Sequence, residues 1–128
     1  MSKLNFKASV PIIGGAVETG LSLLSFKEDN VFIIYSPELD LAGSGNDLNQ
    51  AKASFWETVS EFFRYTANKG TLMSELQRLG WKVAGTKKKP RVSAPPDFNQ
   101  LLQSNDEFKD ILHNKDYSKF TENVQIPA

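Results

Sequence analysis

Val31-Phe32-Ile33-Ile34-Tyr35-Ser36-Pro37-Glu38-Leu39-Asp40-Leu41-Ala42-Gly43-Ser44-Gly45-Asn46-Asp47 is the stretch whose reading decides the fold. Its first five residues are all apolar or aromatic with strong β preference, and such an uninterrupted run implies a strand buried on both faces. Pro37 cannot donate a ladder hydrogen bond and restricts Ser36, so the central strand should end there. Leu39 and Leu41 alternate with Glu38 and Asp40, which predicts a second, short strand with one wet face. Gly43 and Gly45 then permit a sharp turn into a helix.

That helix has the strongest periodicity in the chain. Asp47 is placed to cap its first turn and Gln50 to reach back in a variant capping box. Leu48, Ala51, Phe55, Val59, Phe62 and Thr66 recur every three or four residues, with Trp56 and Phe63 widening the stripe, and Lys69-Gly70 closes the helix. This face is expected to cover a sheet.

Working outward, Leu4, Phe6, Ala8, Val10 and Ile12 alternate with polar residues as in a strand, and Pro11 makes it an edge strand. Gly14-Gly15 reads as a turn, and Leu21 to Phe26 as another strand joined through Lys27-Glu28-Asp29-Asn30 to the central one. On the C-terminal side, Thr71 to Leu79 predicts a short helix stopped by Gly80, and Trp81-Lys82-Val83 a returning strand. The fold expected is α+β: an antiparallel sheet covered on one face by a long helix, in β-β-β-α-β order, with a partly helical C-terminal tail. Residues 1–83 form the domain, 84–96 a basic Pro-rich linker, and 97–128 the tail, in which Phe98, Leu101, Leu102 and Phe108, Ile111, Leu112 have helical spacing. The tail's apolar residues are too sparse to form a core alone, so it is expected to dock on the core, a second copy or a partner.

Composition narrows the functional classes. The chain has 128 residues and no cysteine, which excludes disulfides, thiolate metal sites and a cysteine nucleophile. No apolar run approaches the ~20 residues that span a bilayer, and no secretory leader is evident, so a cytoplasmic protein away from membranes is expected. Fifteen basic and fifteen acidic residues cancel; nucleic-acid contact would need a local patch, for which Lys87, Lys88, Lys89 and Arg91 are the candidates. No aromatic residue is interleaved there for base stacking, so a solvated linker is the plainer reading. Glu38 and Asp40, two apart on the expected short strand, share a face; they could hold a metal or act as paired carboxylates, but a solvated strand face is the plainer reading. His113 lacks a base or nucleophile partner and reads as a surface residue. No catalytic constellation, metal site or cofactor site emerges.

The stretch from Tyr35 to Ala51 resembles the hallmark of HicB-type antitoxins: a strand ending in an aromatic, x-Pro-x-Leu, a short strand, then Gly-Asp-Thr-x-x-Glu-Ala opening a helix. Gly45-Asn46-Asp47-Leu48-Asn49-Gln50-Ala51 stands at the last motif, with like-shaped Asn46, Asp47 and Gln50. Residues 64–72 and 79–82 resemble a subgroup with an added short helix. The resemblance implies a partial RNase H-like fold without that enzyme's catalytic carboxylates, no enzymatic activity, and an antitoxin role in a type II toxin–antitoxin pair. The partner implied is a small HicA-type toxin, an mRNA-cleaving ribonuclease, blocked by direct binding, and a homo-oligomer is expected. Tyr35, Pro37, Leu39 and Leu41 at the short edge strand, with Phe98 and Leu101 from a second arm, are the expected partner-binding residues. The family often adds a C-terminal module that binds operator DNA. Residues 90–128 match neither of its usual forms, which puts operator binding in doubt. The alternative reading is a small RNA-binding domain using the sheet face and the basic linker.

Overall fold

A computed structural model describes residues 16–85 and 90–127. β1 (Ala16–Glu28) turns through Asp29 and Asn30 into β2 (Val31–Ser36). Both turn residues have positive φ, 52° and 67°, the left-handed geometry that lets a two-residue hairpin follow the strand twist. β3 (Leu41–Gly45) leads into the 22-residue α1 (Leu48–Lys69), followed by α2 (Leu72–Arg78), β4 (Lys82–Gly85), β5 (Pro90–Ala94), α3 (Phe98–Ser104), α4 (Asp106–Asn114) and β6 (Ser118–Pro127). The protein is α+β, with a four-stranded antiparallel sheet in the order β3-β2-β1-β6 and a separate β4–β5 hairpin.

The helix α1 starts as its sequence dictates. Asp47 accepts the Gln50 N–H at 2.8 Å, while the Gln50 side chain accepts the N–H of Asn46 at 2.9 Å, one residue outside the usual capping box. Gly70, at φ 70°, ends the helix in the left-handed conformation. Ala51, Phe55, Val59, Phe63 and Thr66 face the sheet, so Phe63 rather than Phe62 occupies the core, and Leu48 is exposed. The helix lies so close to β3 that a Cβ on Gly43 would sit 2.2 Å from the Phe55 backbone nitrogen, and one on Gly45 2.6 Å from that of Ala51. Those glycines are strand residues that admit a helix backbone, where the sequence reading has them as a turn.

Period-two alternation divides the core. Leu21, Leu23 and Ile34 point at α1 together with Val124 and Ile126 of β6 and, from the second hairpin, Val92. Leu24, Phe26 and Tyr35 point the other way and are covered by Leu101, Phe108 and Ile111 of the two C-terminal helices. Each such apolar side chain contributes roughly 1.5 to 3 kcal/mol on burial, so both layers matter to stability.

The long helix covers one face of the sheet as expected, and of the places open to the C-terminal segment it takes the core, docking on the outer face of β1 and β2. Two expectations are corrected here. The returning strand after α2 does not enter the main sheet: β4 pairs with β5, formed from residues assigned to the linker, and β6 takes the fourth place. Residues 37–40 form a turn instead of a strand, with Asp40 at φ 54°. The strand expected over 4–12 lies outside the described residues.

Candidate functional site

On the outer face, beside α4 and the edge strand β3, lies a cleft of about 510 Å³. Its floor is apolar, made by Phe26, Ile33 and Ile111, with Ala42 from β3 at the side. Its rim carries Glu28, Asp40, Glu107 and Asp110 against one cation, Lys115. Glu107 and Asp110 are three apart on α4, which puts both carboxylates on one helix face. Lys115 is ion-paired with Glu28, which holds the ammonium above its usual range. Asp110 accepts a hydrogen bond from the Asn114 amide at 2.7 Å. One basic group among four acidic ones leaves the cleft strongly negative.

A hydrogen-bonded network fixes its wall. The Tyr35 hydroxyl donates to Asp40 at 2.6 Å and accepts from the Asn105 amide at 2.8 Å; the same amide group donates to the Pro37 carbonyl at 3.3 Å. Burial, reinforced by the neighbouring Asp40 carboxylate, pushes the Tyr35 hydroxyl far above the usual tyrosine range, so it stays protonated as a donor. The Asn105 side-chain oxygen accepts the Phe108 N–H at 3.0 Å and so caps α4. One asparagine thus joins the start of α4 to the turn after β2.

The sequence-predicted partner residues fall mostly inside. Tyr35 is 4% exposed, Leu39 2% and Leu101 5%, and Pro37 is buried as well. Leu41 is partly buried against the α1 core, and Phe98 alone is open, at 53%, with its ring edge-on to Phe108 at 5.6 Å. All but Phe98 pack into the fold: Leu39 and Leu41 join the layer under α1, and Tyr35 and Leu101 the outer layer. Lys87, Lys88 and Lys89 lie outside the described residues, as does the side chain of Arg91, whose backbone belongs to β5. Glu38 and Asp40 do not form a pair: Glu38 is buried and Asp40 faces the cleft. His113 is exposed in the last turn of α4.

The residues missed from sequence are Asn105 and the rim carboxylates other than Asp40. The Asp106-Glu107-Phe108-Lys109-Asp110 pattern marks an acidic helix start, but nothing local says which surface it faces. Among the described residues no group of three potential ligands is placed to hold a metal ion, and no helix is long and apolar enough to cross a membrane. The cleft's polar groups suit holding cationic side chains, and its one lining hydroxyl, that of Tyr35, is hydrogen-bonded to the Asp40 carboxylate. No protein-family model matches the sequence, and comparison with curated proteins and with solved structures gives no match.

Proposed function

We propose that this protein is a non-catalytic inhibitor, the antitoxin of a type II toxin–antitoxin pair, which neutralises a HicA-type mRNA-cleaving toxin by direct binding. The reading rests on the motif from Tyr35 to Ala51, and one structural observation supports it. The motif residues build a short edge strand, β3, whose glycines draw α1 in backbone-close and leave Ala42 at the rim of an acidic cleft. Main-chain groups at a strand edge and a negative surface beside them together suit a partner whose own surface is basic enough to bind RNA.

The RNA-binding alternative loses its platform, because Phe26, Ile33 and Tyr35 on the outer sheet face lie under α3 and α4 or in a negative cleft. Co-expression with the product of the neighbouring gene tests the proposal. The neighbour alone should arrest growth, and this chain should co-purify with it and restore growth. A harmless neighbour, or one that stays toxic and does not co-purify, overturns the antitoxin reading.

A further inference from the structure

We infer that the cleft beneath α4 receives an arginine-bearing segment of the partner protein, whose guanidinium is held by Glu107 and Asp110 while its methylene stem lies on the apolar floor. This deepens the antitoxin reading and rests on it for the identity of the partner, though not for the chemistry of the cleft. Of the four carboxylates on the rim, Glu28 is ion-paired, with Lys115. Among the described residues Asp40, Glu107 and Asp110 have no ion pair, and the lysine of α4, Lys109, pairs with Asp106, outside the cleft lining. Their fields meet in the cleft. Beyond the effect of burial, Asp40 and Glu107 help to keep the Tyr35 hydroxyl protonated; beyond its hydrogen bond to Glu28, the Lys115 ammonium is favoured by Asp110 and Glu107. Three unpaired like charges sharing one cleft repel one another, and an incoming cation relieves that repulsion.

The floor selects among cations. Ile33 is only half-buried and Val31, next on the same face of β2, is 37% exposed, so α4 leaves an apolar strip uncovered. Ala42 and Ser44, opposite Tyr35 and Ile33 on β3, add only small side chains to it. A hydrated ion gains little from such a surface, and no group of three potential metal ligands stands there among the described residues. Arginine suits it, because its stem covers apolar surface while its planar guanidinium donates in a fork to carboxylates. Glu107 and Asp110, three apart on α4, offer two such acceptors on one helix face. At about 510 Å³ the cleft exceeds a single side chain, so part of the chain bearing the arginine enters with it.

Fluorescence anisotropy of a labelled, end-capped Gly-Arg-Leu-Arg-Gly peptide with the full chain at low ionic strength is the first arm of the test. Saturable binding is expected, weakened at least about tenfold near 0.5 M salt, and lost when citrulline, which keeps the shape without the charge, replaces both arginines. The lysine version should bind several-fold more weakly, because an ammonium cannot form the fork. E107K/D110K should abolish binding with circular dichroism matching the parent, since both residues are exposed. E57K/E61K makes the same change of charge at exposed positions of α1, across the sheet from the cleft, and should bind within about twofold of the parent. No saturable binding by the parent, a lysine peptide that binds as tightly, or equal binding by the parent and E107K/D110K would each overturn the inference. So would an equal loss in both variants, or displacement of the peptide by spermidine at equal concentration, since the cleft would then be a site for small polycations. Co-expression with the neighbouring gene's product is the second arm, in which E57K/E61K should restore growth and E107K/D110K should not. Equal rescue by the parent and E107K/D110K overturns the cleft as the contact and leaves the antitoxin reading standing. A harmless neighbour overturns the antitoxin reading alone, the cleft being decided by the peptide.

Discussion

Glu38 occupies the place of a missing strand residue. β2 stops at Ser36 because Pro37 cannot continue the ladder, which would leave the Ser22 N–H of β1 without a partner. Both carboxylate oxygens of Glu38 lie 3.1 Å from that nitrogen, the Ser36 hydroxyl donates at 3.3 Å, and the Trp81 indole N–H donates to the Glu38 carbonyl at 2.8 Å. The residue is 6% exposed, and burial raises its carboxyl above the usual range although the hydrogen bonds from Ser22 and Ser36 pull the other way. Folding therefore favours the protonated form. The contribution of Glu38 to stability is fully present below its unfolded-state range and is lost as pH rises through the folded-state value. Glu38→Gln keeps an oxygen for Ser22 and removes the titration, so the variant should gain stability relative to the parent as pH goes from about 4 to about 7. Urea unfolding of both proteins across that range checks it; a difference that does not change with pH would refute the assignment. The sequence Glu38-Leu39-Asp40-Leu41 hid this role because its alternation suits a strand and a turn equally. Only the backbone reversal at Asp40 separates the two carboxylates.

Among the elements, the α3–α4 pair depends most visibly on one side chain. Asn105 caps α4 and reaches across to Tyr35 and Pro37, holding the helices against the outer sheet face. Asn105→Ala should lower stability by about 1 to 2 kcal/mol through the lost cap and the Pro37 carbonyl left without its partner. A urea midpoint unchanged from that of the parent would show that apolar packing alone docks the pair. The elements differ in how openly the sequence declares them. α1 was legible because six turns repeat one stripe between two strong caps, and the first hairpin because Lys27-Glu28-Asp29-Asn30 is short and polar, although only Asp29 and Asn30 form the turn itself. β6 was not. Phe120, Val124 and Ile126 share a face, but Glu122 breaks the apolar series. Its carboxylate is accommodated by Lys52 of α1 at 3.5 Å, and the Lys52 ammonium also lies 4.9 Å from the centre of the Phe120 ring. A partner seventy residues earlier leaves no local trace. The cleft was illegible for the same reason, since its walls come from β1, β2, β3 with its preceding turn, and α4, which meet only after folding.

At the scale of the molecule, the sheet and the outer helices form one interlocked unit. β1 pairs over Ala16–Ser25 with β6 and over Leu24–Glu28 with β2, so the first described strand is held mostly by the last. A chain ending at Ala94 should lose cooperative unfolding and bind a hydrophobic dye, since Leu24, Phe26 and Tyr35 would be uncovered and an edge of β1 left open. A sharp unfolding transition in that shortened chain would instead show that residues 16–94 hold together alone. The β1–β6 pairing also bears on how the protein is made. Ala16 meets Pro127, so during synthesis β1 must wait on the ribosome until more than a hundred further residues have emerged. The β1–β2 hairpin and α1 can take shape early from nearby sequence. The fourth strand and the outer helices close over them late, a non-local step that slows folding. Until then, the nascent chain exposes both the apolar outer face of the sheet and the open side of β1, and a chaperone that shields such surfaces has its longest hold during that interval.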